Sequence, residues 1–171
     1  TEYMSEQWMQ HIRTCVGAAK ERGMLAWLYD EDRWPSGFAG GDVPAMHPSF
    51  RAKHITWQRG EANDVTEGGV LAVYSCVEEN GQLRDFCLLR EGEEAPPGQT
   101  IIRFVWRYDP PSPWYNGGSY LDTLNPEAVA AFLHHTYDAY AREVGEEFGK
   151  TVPGVFTDEP HYGKFFQPDK L

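Results

Sequence analysis

Apolar residues in positions 5–22 recur at helical spacing, with Trp8, Ile12, Cys15, Val16 and Ala19 on one expected face. Ser5 is placed to cap the start of that helix, and Gly23 suits the left-handed residue that ends one. The run Met24-Leu25-Ala26-Trp27-Leu28-Tyr29 is too apolar for clean alternation and predicts a buried strand. It hands over abruptly to Asp30-Glu31-Asp32 and a Gly-rich loop. The same pattern recurs late in the chain, where Val152-Pro153-Gly154-Val155-Phe156-Thr157 predicts a short strand that delivers Asp158-Glu159 before Pro160 stops it. Between the two, Asn125-Pro126-Glu127 opens a helix with a cap, a first-turn proline and an acid that complements the dipole. Val129, Phe132, Leu133, Thr136, Tyr137, Tyr140 and Val144 mark its expected buried face, and Gly149 its stop.

The pattern changes to period two in residues 54–108. Val70–Val77 and Leu83–Leu89 flank Asn80-Gly81, a strong hairpin signal because both residues accept positive φ. Pairing Glu79 with Gln82 would set Cys76 opposite Asp85 and Tyr74 opposite Cys87, making the two cysteines same-face neighbours. Thr100–Tyr108 alternates as a third strand, and His54–Arg59 offers a fourth. Consecutive prolines make Asp109–Pro113 a linker.

Helix–strand, an antiparallel excursion, then strand–helix–strand is the layout of βα repeats with one large insertion. The expected fold class is therefore α/β: a partial (β/α)8 TIM-barrel segment with an inserted small antiparallel β-sheet. The expected division is a barrel segment over residues 1–53, the insertion and linker over 54–117, and a second barrel segment over 118–171. A full barrel needs ~250 residues, so the layout reads as a piece of a larger polypeptide or an open sheet of few strands.

Composition narrows the partners. The formal net charge of −11 disfavours nucleic acid and anionic membrane surfaces, and favours neutral or cationic ligands. No apolar run approaches the ~20 residues of a membrane span, and the compartment, cytoplasmic or secreted, stays open. Six Trp, nine Tyr and nine Phe mildly favour a cleft that stacks on flat ligand faces. Cys15, Cys76 and Cys87 lack metal spacing and read as reduced thiols.

The chemistry concentrates at the two strand ends. Asp158-Glu159 is either a solvated loop start or a pair of carboxylates held where α/β folds bind ligands. Trp34, in its Gly-rich loop, serves equally as a stacking platform or as a cap on the loop. Trp114 and Tyr115 carry a weaker version of the same choice. Phosphate-binding Gly patterns and the Gly-x-Ser-x-Gly elbow are absent. His134-His135 lies on a helix where adjacent side chains point apart, so it reads as a surface pair.

Two stretches carry a resemblance. One is Leu28-Tyr29-Asp30-Glu31-Asp32-Arg33-Trp34-Pro35-Ser36-Gly37-Phe38-Ala39-Gly40-Gly41; the other is Asp122-Thr123-Leu124-Asn125-Pro126-Glu127-Ala128 with Phe156-Thr157-Asp158-Glu159-Pro160. Together, over roughly residues 3–50 and 118–162, they resemble the catalytic barrel of large bacterial glycoside hydrolases of the α-L-rhamnosidase type. The resemblance implies a glycosidase acting on plant or bacterial oligosaccharides or polysaccharides, with Glu159 as the catalytic proton donor at a strand end. Many barrel glycosidases have Asn before this Glu, and Asp158 departs from that. The second catalytic carboxylate is implied to lie on a later strand, so the isolated segment is expected to be inactive. Within the chain, Asp30, Glu31, Asp32 and Asp122 are open between sugar binding, solvated loop acids and a catalytic base. Asp158 and His161 join Trp34 as expected substrate contacts. No cofactor or metal site is expected from the residues; calcium enters only through the resemblance, with no site to place it. A non-catalytic carbohydrate-binding or structural module, or an inactive truncated fragment, are the rival readings.

Overall fold

In a computed structural model of the chain, residues 1–60 and 67–162 are described. They form two compact units, residues 1–52 with 110–162 and residues 53–109. The architecture is mixed α/β, and one unit is a small antiparallel sheet.

In the first unit, α1 runs Glu6–Glu21, and the Ser5 side chain accepts from the Trp8 amide at its start. The buried line of this helix passes through Met9 and Val16. Cys15 is exposed, against expectation. At 3.6 residues per turn it sits about 100° round from Val16, which carries it off the core side. The strand that follows, β1, is only Leu28–Tyr29. It pairs in parallel with β6, Val155–Phe156, placing Leu28 opposite Val155 and Tyr29 opposite Phe156. Both are shorter than the apolar runs predict, and Met24, Leu25 and Trp27 are 60%, 62% and 64% exposed. An apolar run becomes a buried strand only where neighbours pair with it and cover both faces. Among the described residues the sheet has two strands.

A short helix α2, Asp42–Met46, leads out of the Gly-rich loop. The later helix is continuous but changes pitch: α3 is Pro126–Phe132, a π-helical turn covers Leu133–Tyr137, and α4 is Asp138–Val144. The Asn125 side chain accepts from the Glu127 amide, as the cap signal requires. The widened turn shifts the buried set. Leu133 is 46% exposed, while Ala128, Phe132, Thr136, Ala139, Tyr140 and Val144 are buried. Tyr140 is tied through its hydroxyl, which donates to the Tyr29 carbonyl and accepts from Trp8 Nε1. One core gathers Met9, Val16, Leu28, Tyr140, Val144 and Val152. A second gathers Tyr3, Ala39, Val43, Leu121, Ala128 and Phe132.

In the second unit, β2 (Lys53–Arg59), β3 (Gly68–Glu79), β4 (Gln82–Leu89) and β5 (Thr100–Tyr108) form an antiparallel sheet in the order β2-β5-β3-β4. Asn80 and Gly81 both take positive φ, and Glu79 pairs with Gln82. Beyond Val77–Arg84 the register slips by one residue, with Asp85 at φ 54°. Ser75, not Tyr74, therefore lies opposite Cys87. Cys76 and Cys87 fall on opposite faces, one buried and one exposed, which corrects the same-face expectation. Gly69 sits beneath Trp106, whose Nε1 would lie 2.5 Å from any added Cβ. His54 Nδ1 meets Asp109 Oδ1 at 2.6 Å where β2 and β5 pair.

Candidate functional site

The parallel pair β1–β6 ends in polar residues on both strands, and the site is built there. Asp30 follows β1 directly and is fully buried. Three hydroxyls donate to it: Ser36 at 2.6 Å on one oxygen, with Tyr137 at 2.6 Å and Thr157 at 2.7 Å on the other. They come from the Gly-rich loop, the π-helical turn and the residue just after β6. One carboxylate thus ties three chain segments together. Burying it is tolerable because its lone pairs are met by donors, which buried charge requires.

Ser36 also joins the two strand ends through the backbone. Its amide donates to the Asp158 carbonyl, and its hydroxyl accepts from the Asp158 amide, both at 2.9 Å. The Asp158 carboxylate accepts from the Tyr29 hydroxyl at 3.1 Å. Glu159 is exposed, with φ 47°, a left-handed conformation that non-glycine residues adopt uncommonly and that concentrates at functional positions. Its Oε2 accepts from Trp34 Nε1 at 3.1 Å. Trp34 is 41% exposed and meets the 51%-exposed Trp114 edge to face, with ring centroids 6.0 Å apart. Trp114 Nε1 donates to the Trp34 carbonyl.

Glu31 has a different position from the one expected. It has no exposed surface, and its two oxygens accept from the amides of Asp32 and Gly40, and of Gly37 and Ala39. Burial pushes its carboxyl above the usual range, against the pull of those four N–H groups. It shapes the loop from within and has no face for a sugar. Asp32 accepts from Arg33 and from Asn116, which also donates to the Gly40 carbonyl. Asp122 organises a turn, its Oδ1 accepting from the Leu124 amide and its own amide donating to Phe50. Of the expected set, Asp30, Asp158 and His161 gather with Trp34 and Glu159 around the ends of β1 and β6. Asp32 and Asp122 are engaged elsewhere in the loops.

Beside the strand ends lies a cavity of about 300 Å³. Its apolar wall includes Leu121, Val129, Phe132 and Leu133, and its polar side includes Thr123, Tyr137, Thr157 and His161. Glu159 does not line it, although Pro160 and Tyr162 do. His161 is buried and stacks on Tyr120 with centroids 4.3 Å apart. The Tyr120 hydroxyl donates to the Ser36 carbonyl and accepts from the His161 amide. Desolvation, reinforced for Tyr29 and Tyr137 by donation to a carboxylate, pushes the phenols of Tyr29, Tyr120 and Tyr137 up to about 12.

Ser36, Tyr137 and Thr157 are the residues sequence reasoning missed. Thr157 carried a signal, as a hydroxyl ending an apolar strand next to carboxylates. Tyr137 was concealed within the helix's apolar face. Calcium, implied only by resemblance, finds no open ligand at the two buried carboxylates after β1. It takes six to eight oxygen ligands, whereas Asp30 and Glu31 are filled by hydroxyl and amide donors. Among the described residues no group of three or more His, Cys, Asp and Glu is placed to hold a metal ion. Nor is any helix among them long and apolar enough to cross a membrane. No protein-family model matches the chain, and comparison with curated proteins and with solved structures finds no match.

Proposed function

We propose that this chain is part of the catalytic barrel of a glycoside hydrolase, α-L-rhamnosidase-like, with Glu159 as the general acid. One observation carries the reading. Two parallel strands end side by side, and Asp30 follows one while Thr157-Asp158-Glu159 follows the other. Carboxylates at the C-terminal ends of parallel strands sit where α/β barrels do chemistry. The exposed Trp34 beside Glu159 adds a flat apolar face suited to a sugar ring.

In this mechanism Glu159 passes its proton to the glycosidic oxygen as the bond to the anomeric carbon breaks, the bonding electrons leaving with that oxygen. Trp34 Nε1–H then steadies the carboxylate left behind. A second carboxylate takes a proton from the water that adds to the anomeric carbon, or first attacks that carbon itself. The buried Asp30 has its oxygens engaged by three hydroxyls, so its role is to hold Ser36 and Thr157 in place. On this reading the second carboxylate comes from a later strand of the barrel.

The test is Glu159→Gln in the longest natural form, assayed on alkyl and 4-nitrophenyl glycosides. General acid catalysis contributes roughly 10²–10⁴-fold. The alkyl glycoside, with its poor leaving group, should lose about that factor, and the activated one far less. Equal losses on both remove Glu159 from the role. Sugar binding without turnover, abolished by Trp34→Ala, would instead make this a binding module.

A further inference from the structure

The cavity beside the strand ends has a polarity that follows from counting hydrogens. Five lining side chains carry hydroxyls, and Ser36, Thr123, Tyr137 and Thr157 each have their single hydrogen committed to an acceptor of the protein, the fifth being the exposed Tyr162. Thr123 donates to the His161 carbonyl at 2.8 Å. Tyr137 and Thr157 donate to Asp30 at 2.6 and 2.7 Å. Tyr137 and Thr157 also approach each other at 2.9 Å, but a charged and nearer acceptor takes both hydrogens. What remains on the hydroxyl oxygens of Thr123, Tyr137 and Thr157 is lone pairs. The wall opposite is apolar, and none of the lining residues is Lys or Arg.

We infer that this cavity binds a small organic cation: a primary or secondary ammonium on a compact apolar body. An ammonium brings two or three N–H donors to a site of acceptors. A neutral alcohol brings one, and a carboxylate or phosphate brings lone pairs against lone pairs. Asp30, itself a lining residue that accepts from the Tyr137 and Thr157 hydroxyls, sets the sign of the local field. The net charge of −11 reinforces it at long range. Tyr162, 79% exposed at the same cavity, adds a ring of the kind that favours cations. A volume of about 300 Å³ is at the small end of ligand sites and suits a single six-membered ring or a short branched chain. Tyr137 keeps its hydrogen at working pH, because burial and donation to Asp30 hold its phenol up at about 12. The inference goes beyond glycoside hydrolysis and concerns binding alone, so failure of either reading leaves the other standing.

The test follows amide chemical shifts of the whole chain at about pH 8, below the ordinary ammonium range, so that cyclohexylammonium keeps its charge. Four probes share one ring: cyclohexylammonium, its N-trimethyl analogue, cyclohexanol and cyclohexanecarboxylate. Cyclohexylammonium should bind roughly tenfold or more tighter than the other three, with shifts at Thr123, Phe132, Tyr137 and Thr157. Tyr137→Phe and Thr123→Val each remove one acceptor and should each weaken it about fivefold. Leu133→Trp, at an exposed wall position, should block it without touching the polar side. Equal binding of the N-trimethyl analogue would overturn the inference, because charge without donors would then suffice. So would equal binding of the carboxylate or the alcohol, shifts lying outside the cavity, or cyclohexylammonium affinity unchanged in both acceptor variants.

Discussion

Ser36→Ala tests whether a single hydroxyl holds the two strand ends together. Ser36 is 1% exposed, so the variant removes one oxygen from a closed environment with little repacking. Two hydrogen bonds disappear. One is the donation to Asp30, and a bond to a charged partner is worth roughly 1.5–3 kcal/mol. The other leaves the partly buried Asp158 amide without its acceptor, at a cost of roughly 1–3 kcal/mol. Asp30 keeps Tyr137 and Thr157, and the bond from the Ser36 amide to the Asp158 carbonyl survives. The expected destabilisation is therefore about 2–4 kcal/mol, below the simple sum. With a urea slope of about 2 kcal/mol per molar, the middle of the usual range, the midpoint should fall by about 1–2 M. Hydrogen exchange reads the local effect, and the Asp158 amide should lose protection by an order of magnitude more than the amides of α1. A loss below about 0.5 kcal/mol, with Asp158 protection unchanged, would refute the latch.

Thiol accessibility checks the sheet register: Cys15 and Cys87 should react with a thiol reagent within minutes, and the buried Cys76 only in denaturant. Three fast thiols would show that Cys76 does not lie on the covered face. Alkaline titration checks three desolvated phenols, one buried and two half-buried. Tyr29, Tyr120 and Tyr137 have folded values of about 12, above the unfolded value near 10. A raised value means the folded state holds its protons longer, so this stabilisation is complete below pH ~10 and is lost as pH rises through about 12. Absorbance at ~295 nm should therefore show these tyrosines ionising only as the circular dichroism signal falls. All nine tyrosines titrating near pH ~10 in an intact fold would contradict the desolvation of these three.

What was readable in the chain was local. Ser5 capping α1, Asn125 before Pro126 and Asn80-Gly81 at the hairpin act through their own and adjacent backbone groups, so a few residues carry the whole signal. The alternation of Thr100–Tyr108 likewise marked β5 without reference to its neighbours. Misreadings arose where a distant partner decides. Met24–Trp27 looks like a buried strand, but paired and covered backbone is a property of neighbouring strands, and only Leu28–Tyr29 has one. The slip at Asp85 that parts Cys76 from Cys87 is a single left-handed residue on one strand, with no pattern to announce it.

The site divides in the same way. The sequence by itself placed carboxylates after two apolar runs, because nothing about burial asks for Asp or Glu there. Only the tertiary structure gave each its task. Asp30 became a hub because Tyr137 and Thr157, more than a hundred positions away, reach it in the fold. Glu31, indistinguishable from Asp30 by pattern, is enclosed by the amides of its own loop. Glu159 stands out in solvent against Trp34, 125 positions distant. A carboxylate's chemistry depends on which donors surround it and how far water is excluded, and both depend on chain segments that adjoin only after folding.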